Sequence, residues 1–247
     1  MKKPALGPFF PYYGAKWRTS SAYPAPKWAH IVEPFAGAAG YSIRWNEVKN
    51  IALFDASPHV VAAWSYLIRA ASNPSALQAL PDLVRHVDEV PEDARSLVGF
   101  WLNPGSGMPK KSASNRADPT AKVYFPGSVW SAKTKARLLR EVPYIRDWRI
   151  LQCDWRQVFA DLDSAQPCTI FVDPPYVGAG RHYHGAKWSD SDYAELASAC
   201  RRADALGHQV IVCEGAGAKW LPFQELHSFH GSIKESVEVL WTGNRAG

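Results

Sequence analysis

The chain has 247 residues, 28 Lys+Arg against 23 Asp+Glu, and 47% hydrophobic residues, with a mean hydropathy of -0.25. This suits one large globular domain, or a core with a subdomain, and excludes a disordered chain, a collagen and a disulfide-stapled mini-protein. No run approaches the ~18 consecutive apolar residues of a membrane span, and the opening MKKPALGPFFPYYG is broken by Pro and Gly, so a soluble, unexported, cytoplasmic protein is expected.

In chain order, short apolar runs alternate with amphipathic stretches. His30 to Phe35 and Ile51 to Phe54 read as buried strands. Ser57-Pro58 is an N-cap and first-turn pair for a helix through Val61, Trp64, Leu67 and Ile68. From about Asn73 to Arg140 the rhythm breaks. Helical segments are expected over Leu77 to Val87 and Glu92 to Trp101, then a Gly/Ser/Pro-rich stretch, NPGSGMPKKSASN. The rhythm resumes with a short strand at Arg149 to Gln152, strands at Cys168 to Val172 and Gln209 to Cys213, and a helix from Asp190 to Leu206 closed by Gly207. Alternation of this kind argues a mainly parallel α/β sheet, with sites at the carboxyl ends of its strands. Residues 1-72 and 141-247 then form the sheet domain and 73-140 an insertion. The cysteines, at 153, 168, 200 and 213, contain no CxxC pair and no nearby His at zinc-finger spacing, so neither a disulfide framework nor a structural metal is signalled.

Charge is unevenly spread. Between Pro109 and Arg140 lie eight basic residues (Lys110, Lys111, Arg116, Lys122, Lys133, Lys135, Arg137, Arg140) and one acid, Asp118, a local charge of +7. Tyr124, Phe125 and Trp130 lie among them, and basic residues with interleaved aromatics suit a polyanion that also offers flat bases.

The strongest chemical signal is Asp173-Pro174-Pro175-Tyr176, directly after the apolar strand CTIFV. A carboxylate there sits at the sheet's carboxyl edge, and the prolines fix φ and remove two donors, so the turn presents carbonyl oxygens. A carboxylate and a carbonyl can accept both N–H bonds of an exocyclic amino group, while Tyr176 stacks on the ring that carries it. The second signal is Glu33 to Gly40 (EPFAGAAG), where small residues let a ligand approach the backbone as a strand turns into a helix. Asp55 ends the next strand, where an acid would meet ribose hydroxyls. Tyr12 to Trp17 (YYGAKW) adds a cation and a tight turn, and Cys153-Asp154-Trp155 another acid after a strand. Taken singly, Lys16 reads as a surface charge and Asp154 as a helix N-cap.

PYYGAKW, EPFAGAAG, FDAS, CDW and DPPY, in that order with a variable insertion before DPPY, resemble the Dam-like (class alpha) DNA adenine N6-methyltransferases, particularly phage and prophage members. The resemblance implies a Rossmann-like methyltransferase sheet, S-adenosylmethionine as cofactor with S-adenosylhomocysteine as product, and no metal. It gives Lys16 the cofactor carboxylate, Phe35 to Gly40 (with Gly37) the methionine part, Asp55 the ribose and Asp154 the cofactor adenine. Tyr13, Glu33 and Asp173 complete the cofactor group. Asp173, Pro174, Pro175 and Tyr176 would hold the target base. The insertion matches the family's target-recognition region, with Lys110, Lys111, Arg116, Lys122 and Lys133 facing double-stranded DNA. It also implies a bacterial or phage-infected cell, no membrane and no obligate protein partner.

This chain departs from the family at Ala15 and Ala39, where glycines are usual and where Ala is tolerated only at negative φ. Tyr193 stands where the family usually has His, and Glu238-Val239-Leu240-Trp241 resembles an edge strand. Methyl transfer to adenine N6 of a flipped base is the reaction implied. Cytosine N4, whose amino group has the same geometry, is the nearest alternative, although that class more often has Ser or Thr before PPY. A catalytically silent DNA-binding module is the other.

Overall fold

The computed structural model describes residues 4–114, 129–162, 165–177, 188–230 and 235–243. Along the chain run β1 His30–Glu33, α1 Gly40–Arg44, β2 Asn50–Asp55, α2 Pro58–Ser72, α3 Ser75–Gln78, α4 Arg95–Leu102, α5 Ala132–Glu141 and β3 Arg149–Gln152. They are followed by α6 Trp155–Leu162, β4 Thr169–Val172, α7 Asp190–Ala205, β5 Gln209–Gly215, β6 Gln224–His230 and β7 Glu235–Thr242. The strands form one sheet in the order β3-β2-β1-β4-β5-β7-β6. Pairing is parallel from β3 to β5, and β7 lies antiparallel to both β5 and β6. Strand order reverses between β1 and β4, so their connections leave in opposite directions and a crevice opens above their carboxyl ends.

Both faces of the sheet are covered, which is why its central strands are almost wholly apolar. Ile170 and Val172 join Val210 and Val212 against Phe159, Leu196 and Cys200 from α6 and α7. Phe171, Ile211 and Cys213 point to the other core, with Tyr41, Trp64 and Phe100. This two-residue alternation is the signature of a strand buried on both sides. The segments around the basic stretch share the second of these cores: Leu77, Leu97, Trp130 and Leu138 pack in the same cluster as Trp64.

All five expected strands are present. Pro58 opens α2, but Ser57 makes no side-chain cap, and its N–H instead donates to Asp55 Oδ1 at 2.8 Å. Gly207, at φ +98°, ends the turn after α7. The expected helix over Leu77 to Val87 is a correction: α3 stops at Gln78, and only a 3-10 turn, Val87–Glu89, follows. Pro81 interrupts it by removing a helical donor. Leu77, Leu80, Val84 and Val87 are nonetheless buried, so their spacing marked burial and not helix. Among the described residues no helix is long and apolar enough to cross a membrane.

Candidate active site

A cavity of about 320 Å³ opens over the carboxyl ends of β1 to β4. Tyr13, Lys16, Glu33, Phe35, Gly37, Asp55, Asp154 and Asp173 all line it, together with Pro175 and Trp188. Residues far apart in sequence are thus gathered by the strand ends.

The turn after β1 needs its glycines. Gly37 has φ +45°, and a Cβ there would come 3.0 Å from the Tyr12 ring. A Cβ at Gly40 would lie 2.5 Å from the Trp17 nitrogen. Ala39 corrects the expectation of negative φ: it sits at φ 49°, ψ 45°, fully buried, in the left-handed region that costs an L-residue roughly 1–2 kcal/mol. Its neighbours hold it, since Ala39 N donates to Ala36 O and Ile43 N donates to Ala39 O, starting α1.

One carboxyl fastens this turn and another the helix it leads into. Asp55 Oδ2 accepts from Gly37 N at 2.9 Å and Oδ1 from Ser57 N, and burial pushes its pKa up to about 6. A carboxylate has about four lone-pair directions, so two remain for hydroxyl donors in the cavity. Glu33, almost fully buried, accepts from Ser42 N at 2.8 Å, and desolvation lifts its pKa to about 8.

Elsewhere on the lining Phe35, Trp155 and Trp188 form a triangle of rings, with Phe35 6.4 Å and 5.7 Å from the two tryptophans and these 6.0 Å apart. Asp154 is exposed and caps α6, its Oδ1 accepting from Arg156 N at 2.9 Å. Arg156 in turn clamps α7 through Asp192 and Glu195.

Asp173, at the end of β4, is in contact with Lys16, whose Nζ lies 3.1 Å from Oδ1. Cys213 Sγ approaches the same oxygen at 3.5 Å. Burial raises the Asp173 carboxyl above its ordinary range, and Lys16 opposes that shift without cancelling it. Lys16 is therefore no surface charge. It is 5% exposed, donates to Gly14 O at 2.6 Å and sits 4.7 Å over the Tyr176 ring.

Of the proline turn, Asp173 and Pro175 line the cavity, and Pro174 and Tyr176 flank them. Tyr176 donates its hydroxyl to Glu238 Oε1 at 3.1 Å and rests against Gly215. Tyr193, at the position where His was expected, donates to Pro175 O at 2.8 Å and so braces the proline turn. Glu214 accepts from Val177 N at 2.7 Å and fixes the turn's exit. Sequence reasoning missed Tyr23, Cys213, Glu214 and Glu238 as parts of the site. The signal available was an acid within or directly after an apolar strand: Glu214 behind QVIVC, and Glu238 in ESVEVLWT.

The basic stretch divides. Lys110, Lys111 and Lys133 are exposed. Gly107, just ahead of the first two, lines the cavity, and Ser106 O accepts from Tyr13 N at 3.2 Å, so this loop borders the site. Lys135 instead pairs with Asp82 and donates to Leu80 O, while Arg137 bridges Glu141 and Pro8 O. Those two hold the fold together. Arg116 and Lys122 lie outside the described residues.

Sheet order and cavity together make this a Rossmann-like α/β fold with its cavity over the carboxyl ends of the parallel strands. No family model matches the sequence, and no curated protein does. Among solved structures, the chain is similar to the rRNA methyltransferase aviRa from Streptomyces viridochromogenes. One structure of it shows 12% identity over 96% of this chain and 87% of that one, at a TM-score of 0.43. A second gives 12%, 95%, 87% and 0.42. At such identity and overlap neither speaks to substrate.

Proposed function

We propose that this chain transfers a methyl group from S-adenosylmethionine to the N6 amino group of adenine in double-stranded DNA. The observation that carries the reading is Asp173. It is a cavity-lining carboxylate at the end of β4, followed by two prolines, with Lys16 and Cys213 both at its Oδ1.

The cavity fits the cofactor on its own terms. Gly37 and Gly40 let the Tyr12 ring and the Lys16–Trp17 backbone close onto the turn after β1, which brings the YYGAKW loop against the cavity. Asp55 keeps acceptor capacity for ribose hydroxyls, Phe35, Trp155 and Trp188 offer flat apolar faces, and Asp154 is an exposed acceptor beside them. When bound, S-adenosylmethionine supplies a methyl group on a positively charged sulfonium.

The protein's own groups must then make a poor nucleophile better. The N6 lone pair is delocalised into the ring, and hydrogen bonds from N6 to Asp173 Oδ2 and the Pro174 carbonyl favour a pyramidal nitrogen with a localised lone pair. The amine loses one proton as it gains the methyl. Asp173, more basic than an ordinary Asp because it is buried, is the acceptor for that proton.

Duplex DNA hides this amine, so the base has to be flipped out, with Pro175 and the Tyr176 side of the turn receiving its ring. Lys110 and Lys111, exposed on the loop that borders the cavity, would hold phosphates there, with Lys133 exposed on α5 as a further contact. The test is transfer of labelled methyl to unmethylated duplex DNA, to a single strand and to RNA of the same sequence. Transfer to the duplex is expected. Transfer confined to RNA would replace the DNA reading with an RNA one, and transfer to none, with cofactor bound, would remove nucleic acid as substrate.

A further inference from the structure

Glu238 lies on β7, between Val237 and three buried apolar residues, and is itself buried. Nothing in sheet pairing calls for a carboxylate there, and an ion taken out of water needs partners. It has three. Oε2 accepts from the Tyr23 hydroxyl at 2.5 Å. Oε1 accepts from the Tyr176 hydroxyl at 3.1 Å and lies 3.5 Å from Lys16 Nζ. The same Lys16 is 3.1 Å from Asp173 and 4.7 Å over the Tyr176 ring. One carboxylate, from a strand remote in sequence, therefore grips two of the groups that surround the proposed base-binding turn.

We propose that Glu238 is a positioning residue for methyl transfer, holding Tyr176 by its hydroxyl and dividing the Lys16 charge so that Asp173 is not fully neutralised. The inference rests on the transfer reading above. Geometry supplies its logic: a lysine paired with Asp173 alone would weaken that carboxylate as an acceptor, whereas a lysine shared by two carboxylates keeps it anchored and basic.

The groups facing Asp173 define what a change at Glu238 does. Lys16 meets it from the loop before β1 and Cys213 from β5, with Glu238 on β7 and Tyr176 on its own turn. Glu33 at the end of β1 and Glu214 on β5 couple to it at longer range. Lys16 pulls the Asp173 carboxyl down and Glu238 pushes it up. Neutralising Glu238 removes the push and leaves Lys16 to Asp173, so both effects lower it.

The test uses the full chain with Glu238→Gln, which keeps shape and an acceptor but not charge. In carbon-13 NMR of aspartate-labelled protein, with the Asp173 signal assigned through Asp173→Asn, the Asp173 midpoint is expected to fall by about one pH unit. In transfer assays the acid limb of the pH profile should move down with it, kcat should fall roughly tenfold, and KM for DNA and cofactor affinity should stay put. Tyr176→Phe removes one hydroxyl and is the variant to use if Glu238→Gln does not fold. It should lower kcat with KM unchanged, and the double variant should lose no more than the larger single loss. An unmoved Asp173 midpoint with unchanged kcat overturns the proposal, as does a loss that appears only as weaker cofactor binding. A wild-type protein that moves no methyl to DNA overturns the transfer reading and this inference with it. An active wild type with an indifferent Glu238→Gln overturns the inference alone.

Discussion

Lys16 and Asp173 form a buried ion pair, 3.1 Å apart, that ties the loop ahead of the first strand to the end of β4. Both residues line the cavity. Glu238 stands 3.5 Å from the same ammonium.

Replacing that cation should destabilise the fold in a pH-dependent way. In Lys16→Met two buried carboxylates lose their shared partner, at a cost of about 3 kcal/mol near pH 8. Without the cation the Asp173 carboxyl rises further above its ordinary range, so the penalty is absent below the unfolded carboxylate range and grows as pH climbs through it. Denaturant unfolding at pH 5 and pH 8 checks this. An equal loss at both would mean the lysine contributes packing only.

Glu33 offers a cleaner titration. Its pKa is pushed from 4.5 to about 8 by burial, so it is protonated in the fold at neutral pH and ionised in the unfolded chain. Stability it contributes is full below pH 4.5 and is lost as pH rises through about 8. Glu33→Gln, which retains an acceptor for Ser42 N, should be more stable than wild type at pH 8 by a few kcal/mol, on the order of 1.4 per pKa unit. The difference should vanish near pH 4.

Cofactor binding and transfer should separate by residue. Asp55→Ala loses a charged acceptor in the cavity and should weaken S-adenosylmethionine roughly 10- to 100-fold. Asp173→Ala should keep cofactor affinity and lose transfer by about 100-fold or more. Calorimetric titration of both variants, alongside rates, checks the assignment. Loss of cofactor binding in Asp173→Ala with Asp55→Ala unaffected would exchange the two roles.

Much of this site could be read from the chain because it follows uninterrupted apolar strands. Cys168 to Val172 is buried on both faces, which marks it as a central strand and places Asp173 at its carboxyl end. Asp55 was legible for the same reason. Glu238 was not, because its partners Tyr23, Lys16 and Tyr176 come together only through the antiparallel placement of β7, which no local pattern specifies. The left-handed Ala39 was equally hidden, since propensity argues against it and tertiary packing overrides propensity. In the 77–87 stretch the apolar spacing was real, but Pro81 removes a helical donor, and the apolar residues enter the core that holds Trp64 from a buried loop in place of a helix.

The basic residues should divide as their contacts do. Replacing exposed Lys110, Lys111 and Lys133 with Ala should flatten the slope of log affinity for DNA against log salt by roughly 0.9 per lost phosphate contact, with cofactor affinity and stability unchanged. Lys135→Ala or Arg137→Ala should instead lower the unfolding midpoint, because they remove bonds to Leu80 O and Pro8 O. An unaltered salt slope in the triple variant would make the first three a solvated surface.

The central claim is the atom that receives the methyl. Duplex DNA incubated with the protein and labelled S-adenosylmethionine, then digested to nucleosides, should carry its label in N6-methyladenine, and Asp173→Ala should abolish that label. Label recovered chiefly as N4-methylcytosine, or label in N6-methyladenine that persists in Asp173→Ala, would contradict the account.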